Sequence, residues 1–392
     1  MKVCLISYFY LETTFPLAKH LAEINNCDVS VICLFPLINR KGNVVDFSNY
    51  NVCNGFDNRY FSQAFNSKLQ QYLSNVKIDT FFITAFRKSP IKFISNLFKL
   101  SISIKRQNYD IVHFIGESLS ILILRILFLR KKTIHTLHEV TEHEVNGRKS
   151  LSRYLLLKFL TYNKCKIIFH SSISKERFIQ FSGMSIFRSY NITERLYIIP
   201  FGLFETFNCF SADEFVEEDG NSVLFFGRIT TYKGLKYLLG SLDYLKAKIP
   251  SIKIIIAGEG KIELDLINNS NIEIINRQLS NEEITFYIKK SKIILCPYLS
   301  ASQSGIPMVS FLFGKPVIAT NVGGFPEMIE HMKTGLIIPV ADSKAISDAI
   351  ELLLTNKELL NSMSKNIFIK YNHNNQSWNN LALETYKLYA TI

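Results

Sequence analysis

Gly314-Lys315-Pro316-Val317-Ile318-Ala319-Thr320-Asn321-Val322-Gly323-Gly324-Phe325-Pro326-Glu327 is an apolar, β-branched run that stops at a double glycine and restarts as a helix. A continuous apolar strand running through a glycine turn into a helix is the repeating unit of a parallel sheet covered on both faces. Working outward, the same unit recurs. Strands are predicted at 222–226, 253–257, 272–275, 292–296 and 336–338 in the second half. In the first half they fall at 2–7, 29–34, 80–84, 111–115, 133–137, 166–170 and 196–199. Two such series predict two doubly wound α/β domains. Residues 1–199 form an N-terminal domain, 200–370 a second domain, and 371–392 a helical segment packing back on the first. The boundary is placed at Pro200-Phe201-Gly202, before an acidic, loop-like stretch from Ser211 to Asn221. Residues 37–76 show little periodicity.

Apolar residues make up 47 % of the 392 and charged residues 20 %, which excludes a disordered chain. The best candidate for a membrane span, Ser118–Leu129, is too short and carries Arg125. Lys2–Ser7 reads as a first strand, so no signal peptide is expected. Seven scattered cysteines form no C-x-x-C pair, which disfavours a zinc or disulfide framework and suits the cytoplasm. Net charge is +14 over 1–199 and −2 over 200–392. One basic half suggests that only the first domain faces something anionic, the alternative being a general bias toward lysine. Residues 87–132 hold ten basic and two acidic residues. Within them, Ile91–Arg106 is amphipathic at helical spacing, with Phe93, Leu97, Leu100 and Ile104 on one stripe. Lys92, Asn96, Lys99, Ser103 and Arg106 form the other. Such a helix either docks on an anionic membrane surface or covers the sheet with a solvated basic face. No nucleic-acid signature organises the aromatic residues.

Ligands of open parallel sheets sit at the carboxyl ends of the strands, so the loops after strands carry the candidate chemistry. Gly227-Arg228-Ile229-Thr230-Thr231-Tyr232-Lys233-Gly234 joins a strand to a helix. A guanidinium fork and an ammonium there suit a diphosphate, in a wet site, or are simply two solvated cations. Pro297-Tyr298-Leu299-Ser300-Ala301-Ser302-Gln303-Ser304-Gly305 is a small-residue turn whose amides would cradle a phosphate, or an ordinary connection. Gly323 and Gly324 permit a close backbone approach to a ligand or are turn glycines.

The order G-R-x4-K-G, P-Y-x5-S-G, G-K-P-V-I-A-T-x-V-G-G-x-P-E and T-G-L-I-I-P resembles the donor domain of a retaining glycosyltransferase of family four, with the GT-B fold. The resemblance is specific over 222–340 and weaker before it. It implies two Rossmann-like domains facing across a cleft, a nucleotide-diphospho-sugar donor, no cofactor and no obligatory metal. The acceptor would be a glycan or a lipid-linked glycan, in surface-polysaccharide synthesis by a cytoplasmic or peripheral membrane enzyme. By position, Arg228 and Lys233 would hold the diphosphate, and Gly227, Ser302, Gln303, Ser304, Gly305 and Glu327 would line the donor site. The family's two glutamates, eight positions apart, align with Ala301 and Val309. Gln303, Ser302 and Ser310 are then expected to take over the recognition, or the donor is bound differently, or activity is lost.

In the first half, Thr133–Leu137 leads into His138-Glu139, where the family's pattern implies a histidine at the donor sugar. His138 would bond a hydroxyl or share the diphosphate's charge, or else cap the strand. His135 is expected to pack under a helix. Tyr8, Glu117 and Glu139 are assigned to the acceptor side, as is the loop holding Glu142, His143 and Glu144, which lacks metal-ligand spacing. Two rival readings stand beside the transferase: a non-catalytic GT-B partner subunit and a GT-B sugar-nucleotide epimerase.

Overall fold

The protein is described from a computed structural model, which covers residues 1–38, 44–129, 132–140, 151–183, 192–212, 215–262 and 269–392. Glu142, His143 and Glu144 lie outside the described residues. The chain divides into two compact units. The first comprises Met1–Gly202 and Trp378–Ile392, and the second Leu203–Ser377.

The first unit is built on β1 (Lys2–Tyr8), β2 (Asp28–Pro36), β3 (Gly55–Phe56), β4 (Lys77–Ile83), β5 (Ile111–Ile115), β6 (Thr133–Leu137), β7 (Lys166–Phe169) and β8 (Leu196–Ile198). Their order is β3-β4-β2-β1-β5-β6-β7-β8. Neighbours are parallel except for the β3–β4 pair, an antiparallel edge inside the aperiodic stretch that no sequence pattern announced. The five residues of β5 and the five of β6 are all buried. Both faces of each are therefore covered, so even His113 of β5 and Thr133, His135 and Thr136 of β6 are buried. The chain departs from β1 toward β2 on one side and later resumes at β5 on the other, so the sheet switches direction between β1 and β5.

Helix Leu11–Ala22 covers one face of this sheet, with the C-terminal helix Trp378–Ala390 packed on it. Trp378 lies over Gly202, where a Cβ would come within 2.6 Å of the indole. Helices Pro90–Arg106, Leu119–Leu127 and Leu151–Tyr162 lie side by side and share one core, to which they send Phe93, Leu97, Leu100, Ile121, Leu124, Leu156 and Leu160. Right-handed crossovers put all three on the face opposite Leu11–Ala22. Asn96, expected on the outer stripe, is buried instead.

The second unit is a six-stranded sheet of β9 (Ser222–Phe226), β10 (Lys253–Ala257), β11 (Ile272–Ile275), β12 (Ile293–Cys296), β13 (Val317–Thr320) and β14 (Gly335–Ile338), ordered β11-β10-β9-β12-β13-β14. All its pairs are parallel, and the switch falls between β9 and β12. Local signals place the helices between strands. Ser280 opens helix Asn281–Lys290 with a capping box: its hydroxyl accepts from the Glu283 amide, and the Glu283 carboxylate accepts from the Ser280 amide. No helix among the described residues is long and apolar enough to cross a membrane.

Candidate functional site

Each switch point gathers residues that the sequence singled out. In the second unit, β9 ends at Gly227, which has φ +97. A side chain there would collide with Lys233, whose Nζ lies 2.7 Å from the position of a Cβ. The chain then turns through Thr231–Lys233 to Gly234 (φ +72), where a Cβ would come within 1.8 Å of the Pro297 carbonyl oxygen. Only glycine allows this approach, which brings the loop after β9 against the loop after β12. The Leu299 amide completes the junction by donating to the Tyr232 carbonyl at 2.7 Å.

This packing directs Lys233 inward. It is 7 % exposed, with Nζ 5.2 Å from the centroid of the buried Tyr298 ring. Both donor cations were expected in a wet site; Arg228 is exposed, but Lys233 is not. Burial brings the Lys233 ammonium down to about 8 and neighbouring Arg228 pushes the same way, while Cys296 opposes. Among the described residues no carboxylate acts on it.

The turn after β12 is shaped by the double glycine. A Cβ on Gly323 would lie 2.2 Å from the Ala301 carbonyl oxygen, and the Gly324 amide donates to the Ser302 carbonyl at 3.0 Å. Both glycines thus serve the close packing of two loops. Ser302 is buried, Gln303, Ser304 and Gly305 are half-buried, and Glu327 is exposed. The Ser304 hydroxyl accepts from the Ile306 amide at the start of helix Ile306–Leu312. Gly305 faces Phe204, whose ring would lie 2.4 Å from a Cβ. Ala301 and Val309, where the family's glutamates would stand, are buried apolar side chains. Ser310, expected to share the recognition, is fully buried, and its hydroxyl donates to the Ile306 carbonyl one turn back.

In the first unit, β1 ends in Tyr8-Phe9-Tyr10, with Phe9 at φ +72, a conformation that costs a bulky residue strain. Tyr8 is half-buried. The turn lays the Tyr10 ring flat on the His138 imidazole, with centroids 3.7 Å apart and planes inclined by 2°. Gly116 (φ +98) leaves room for that ring, which would lie 2.8 Å from a Cβ. Glu117 ties the three loops together. One carboxylate oxygen accepts from the Tyr10 hydroxyl at 3.0 Å; the other accepts from the His138 amide at 2.6 Å and the Glu139 amide at 3.2 Å. Burial raises its carboxyl to about 7, and Arg153 opposes that shift. The Glu139 side chain is itself paired with Arg153 at 3.3 Å.

His138 is 3 % exposed, and its Nε2 is buried without a hydrogen-bond partner. Burial first, then the neighbouring histidines, hold its pKa well below the usual range, so the ring is neutral at physiological pH. Sequence reasoning missed His170. The β6–β7 register pairs Leu137 with Phe169, so the next residues, His138 and His170, lie side by side with ring centroids 4.7 Å apart. A histidine closing each of two adjacent strands was the available signal. His170 Nδ1 donates to the Ile199 carbonyl at 2.8 Å. Both rings border a cavity of about 30 Å³ together with Thr13, His113, Thr136 and Thr385, which has room for one water. His135 is fully buried in β6.

The family model described as glycosyl transferases group 1 matches residues 210–369, and that of glycosyltransferase family 4 matches residues 13–191. An uncharacterized glycosyltransferase of Methanocaldococcus jannaschii is 23 % identical over 185 residues, which is 44 % of this chain and 46 % of that protein. The amylovoran biosynthesis glycosyltransferase of Erwinia amylovora is 31 % identical over 148 residues, 35 % of this chain and 36 % of its own length. The chain therefore spans less than half the length of these curated relatives. The crystal structure of Anabaena HepE in complex with UDP-glucose aligns over 100 % of both chains, with a TM-score of 0.65 and 13 % identity, a likeness of fold. The fold is that of GT-B proteins, and the chain is similar to glycosyl transferases group 1 in its second unit and to glycosyltransferase family 4 in its first.

Proposed function

We propose that the chain is a retaining glycosyltransferase, hexosyltransferase-like, that moves a sugar from a nucleotide-diphospho-sugar to a glycan or lipid-linked acceptor in surface-polysaccharide synthesis. The observation that carries this reading is Lys233. An ammonium 7 % exposed, with no carboxylate acting on it, is a costly group to keep unless an anion completes it. The Arg228 guanidinium stands in the same loop. Two cations converging at a sheet's switch point suit a diphosphate, and they stabilise it most when it departs with a full negative charge. On this reading the charge of the leaving group is met by side chains, and neither a metal nor a cofactor is required.

Gln303 and Ser304 then bond sugar or ribose hydroxyls, while Gly227, Ser302 and Gly305 fix the backbone around the donor and Glu327 borders it. His138 offers the donor sugar a neutral imidazole. Tyr8, Glu117 and Glu139 belong to the acceptor side, with Glu117 holding the loops in place. Ala301 and Val309 mark an altered donor pocket in an active enzyme, since the remaining donor motifs are intact.

A panel of nucleotide-diphospho-sugars screened by thermal shift tests the reading, because a ligand that binds only the folded state raises the melting temperature. A stabilising donor whose effect is lost in Lys233→Ala, followed by transfer of its sugar with retained configuration, is the expected result. A protein that binds no donor and transfers nothing to a supplied lipid acceptor would be a non-catalytic partner. Conversion of the donor without transfer would identify an epimerase.

A further inference from the structure

The outer surface of the three helices that share the first unit's core is unlike a solvated face. Helix Pro90–Arg106 turns Phe93, Leu97, Leu100 and Ile104 inward, yet Ile91 is 83 % exposed, Ile94 50 % and Phe98 53 %. These three recur at i, i+3 and i+7, so they form a second apolar stripe on the side away from the sheet. Lys92, Lys99 and Arg106 recur every seven residues and flank it with exposed cations. The neighbouring helix adds exposed Ile126, and Leu129 follows it. The next helix, Leu151–Tyr162, adds exposed Leu151, Tyr154 and Leu155 beside Lys158. No Asp or Glu occurs from Phe86 to Tyr109 or from Leu151 to Lys175. Bulky aliphatic and aromatic side chains set among cations, on helices whose own sequences carry no carboxylate, match the composition of surfaces that lie in a lipid headgroup region.

We infer that this three-helix face docks on an anionic bilayer, with Ile91, Ile94 and Phe98 entering the headgroup–acyl boundary and Lys92, Lys99 and Arg106 meeting lipid phosphates. Charge complementarity favours lipid over a second copy of the chain, whose identical face would oppose cation with cation. The inference does not depend on the catalytic reading, since it uses none of the proposed site residues.

The test is flotation of the full chain with vesicles of phosphatidylcholine alone or with about a third phosphatidylglycerol, across a salt series, alongside light scattering of the free protein. Binding is expected only with the anionic lipid, weakening as salt rises through the screening range. Ile91→Asn/Phe98→Asn should lower the bound fraction about tenfold at fixed salt, in proportion to the apolar area withdrawn. Lys92→Gln/Lys99→Gln/Arg106→Gln should lower it and flatten its salt dependence. Both sets lie on an exposed face, so an unchanged melting temperature accompanies these losses. Equal binding to neutral and anionic vesicles, no binding at low salt, or a dimer that Ile91→Asn/Phe98→Asn dissociates would overturn the inference.

Discussion

The two switch points share one backbone plan and carry opposite electrostatics. In the second unit the loop after β9 holds an exposed arginine and a buried lysine, and no carboxylate among the described residues answers the lysine. In the first unit the loops after β1, β5 and β6 hold an imidazole that burial keeps neutral and a carboxyl that burial raises to about 7. One site stores unmet positive charge; the other stores polar groups in forms suited to hydroxyls. The difference shows how burial and pairing of a few side chains give two similar switch points different chemistry, which on the proposed reading separates anion from sugar recognition.

The comparison breaks most sharply if the cations of the second unit prove dispensable. Lys233→Ala and Arg228→Ala are each expected to reduce sugar transfer about a hundredfold or more, the scale of losing one preorganised charge partner. Gly227→Ala should behave alike, because its methyl would occupy a position 2.7 Å from the Lys233 ammonium at a backbone φ of +97. Initial rates with saturating acceptor provide the measurement, and near-normal rates in either cation variant would remove the diphosphate assignment.

Charge burial predicts a gain in stability from the same position. The folded-state pKa of Lys233 is depressed to about 8, so the charged form is penalised in the native state. The unfolded chain holds that proton more tightly, and stability rises as pH climbs from about 8 toward the unfolded value near 10.5. Lys233→Met removes the penalty below that window. We expect roughly 1–2 kcal/mol of added stability at pH 7, discounted from about 1.4 kcal/mol per pKa unit, with donor binding abolished. Urea unfolding at pH 7 and pH 10 checks the sign: the variant's advantage should shrink at the higher pH.

How far this contrast was legible in the sequence depended on what pattern can encode. Continuous apolar runs such as Val223–Phe226 and Val317–Ala319 announced the parallel strands, because both faces of each are buried. The two-residue β3 carries no period, so only tertiary pairing with β4 reveals it. Spacing located Arg228 and Lys233 but left their exposure open; the inward course of Lys233 follows from Gly227 and Gly234, whose reason is a loop from elsewhere in the chain. His170 escaped because its importance lies in register with His138 across two strands. Asn96 and Ser310 were read as available polar groups, and packing buried both.

The first unit is tested through Glu117. Its carboxyl is raised from 4.5 to about 7, so the native state binds that proton more tightly than the unfolded chain. Its contribution therefore weakens as pH rises from about 4.5 to about 7 and stays low above. Glu117→Gln keeps an oxygen for the His138 and Glu139 amides and cannot ionise. The variant should be roughly 1–2 kcal/mol more stable than the parent at pH 8, less than the full shift because the bond from the Tyr10 hydroxyl is disturbed. Melting curves at pH 5 and pH 8 report it. An equal offset at both pH values would show that the carboxyl does not titrate between them.

The smallest effect is expected at Gln303, where it decides how the proposed donor pocket would work without the glutamates that the resemblance implies. Ala301 and Val309 are buried and apolar, so neither position can accept a bond from a hydroxyl. Ser310 is engaged with its own helix, and the Ser304 hydroxyl accepts from the Ile306 amide. Gln303 is half-buried in the same turn and carries an amide that both donates and accepts. A neutral amide bonds a sugar or ribose hydroxyl more weakly than a carboxylate does, by about half. Gln303→Ala should therefore weaken donor binding only three- to tenfold, the range of one neutral hydrogen bond of about 0.5–1.5 kcal/mol. Titration of the donor by calorimetry separates the outcomes: a loss of a hundredfold would give Gln303 the full role of the absent carboxylates, and no loss would leave hydroxyl recognition to the backbone of the turn. Gln303→Glu distinguishes them further. It restores a carboxylate at a new position, and tighter donor binding in that variant would show that the pocket tolerates the family's charge two residues along from Ala301.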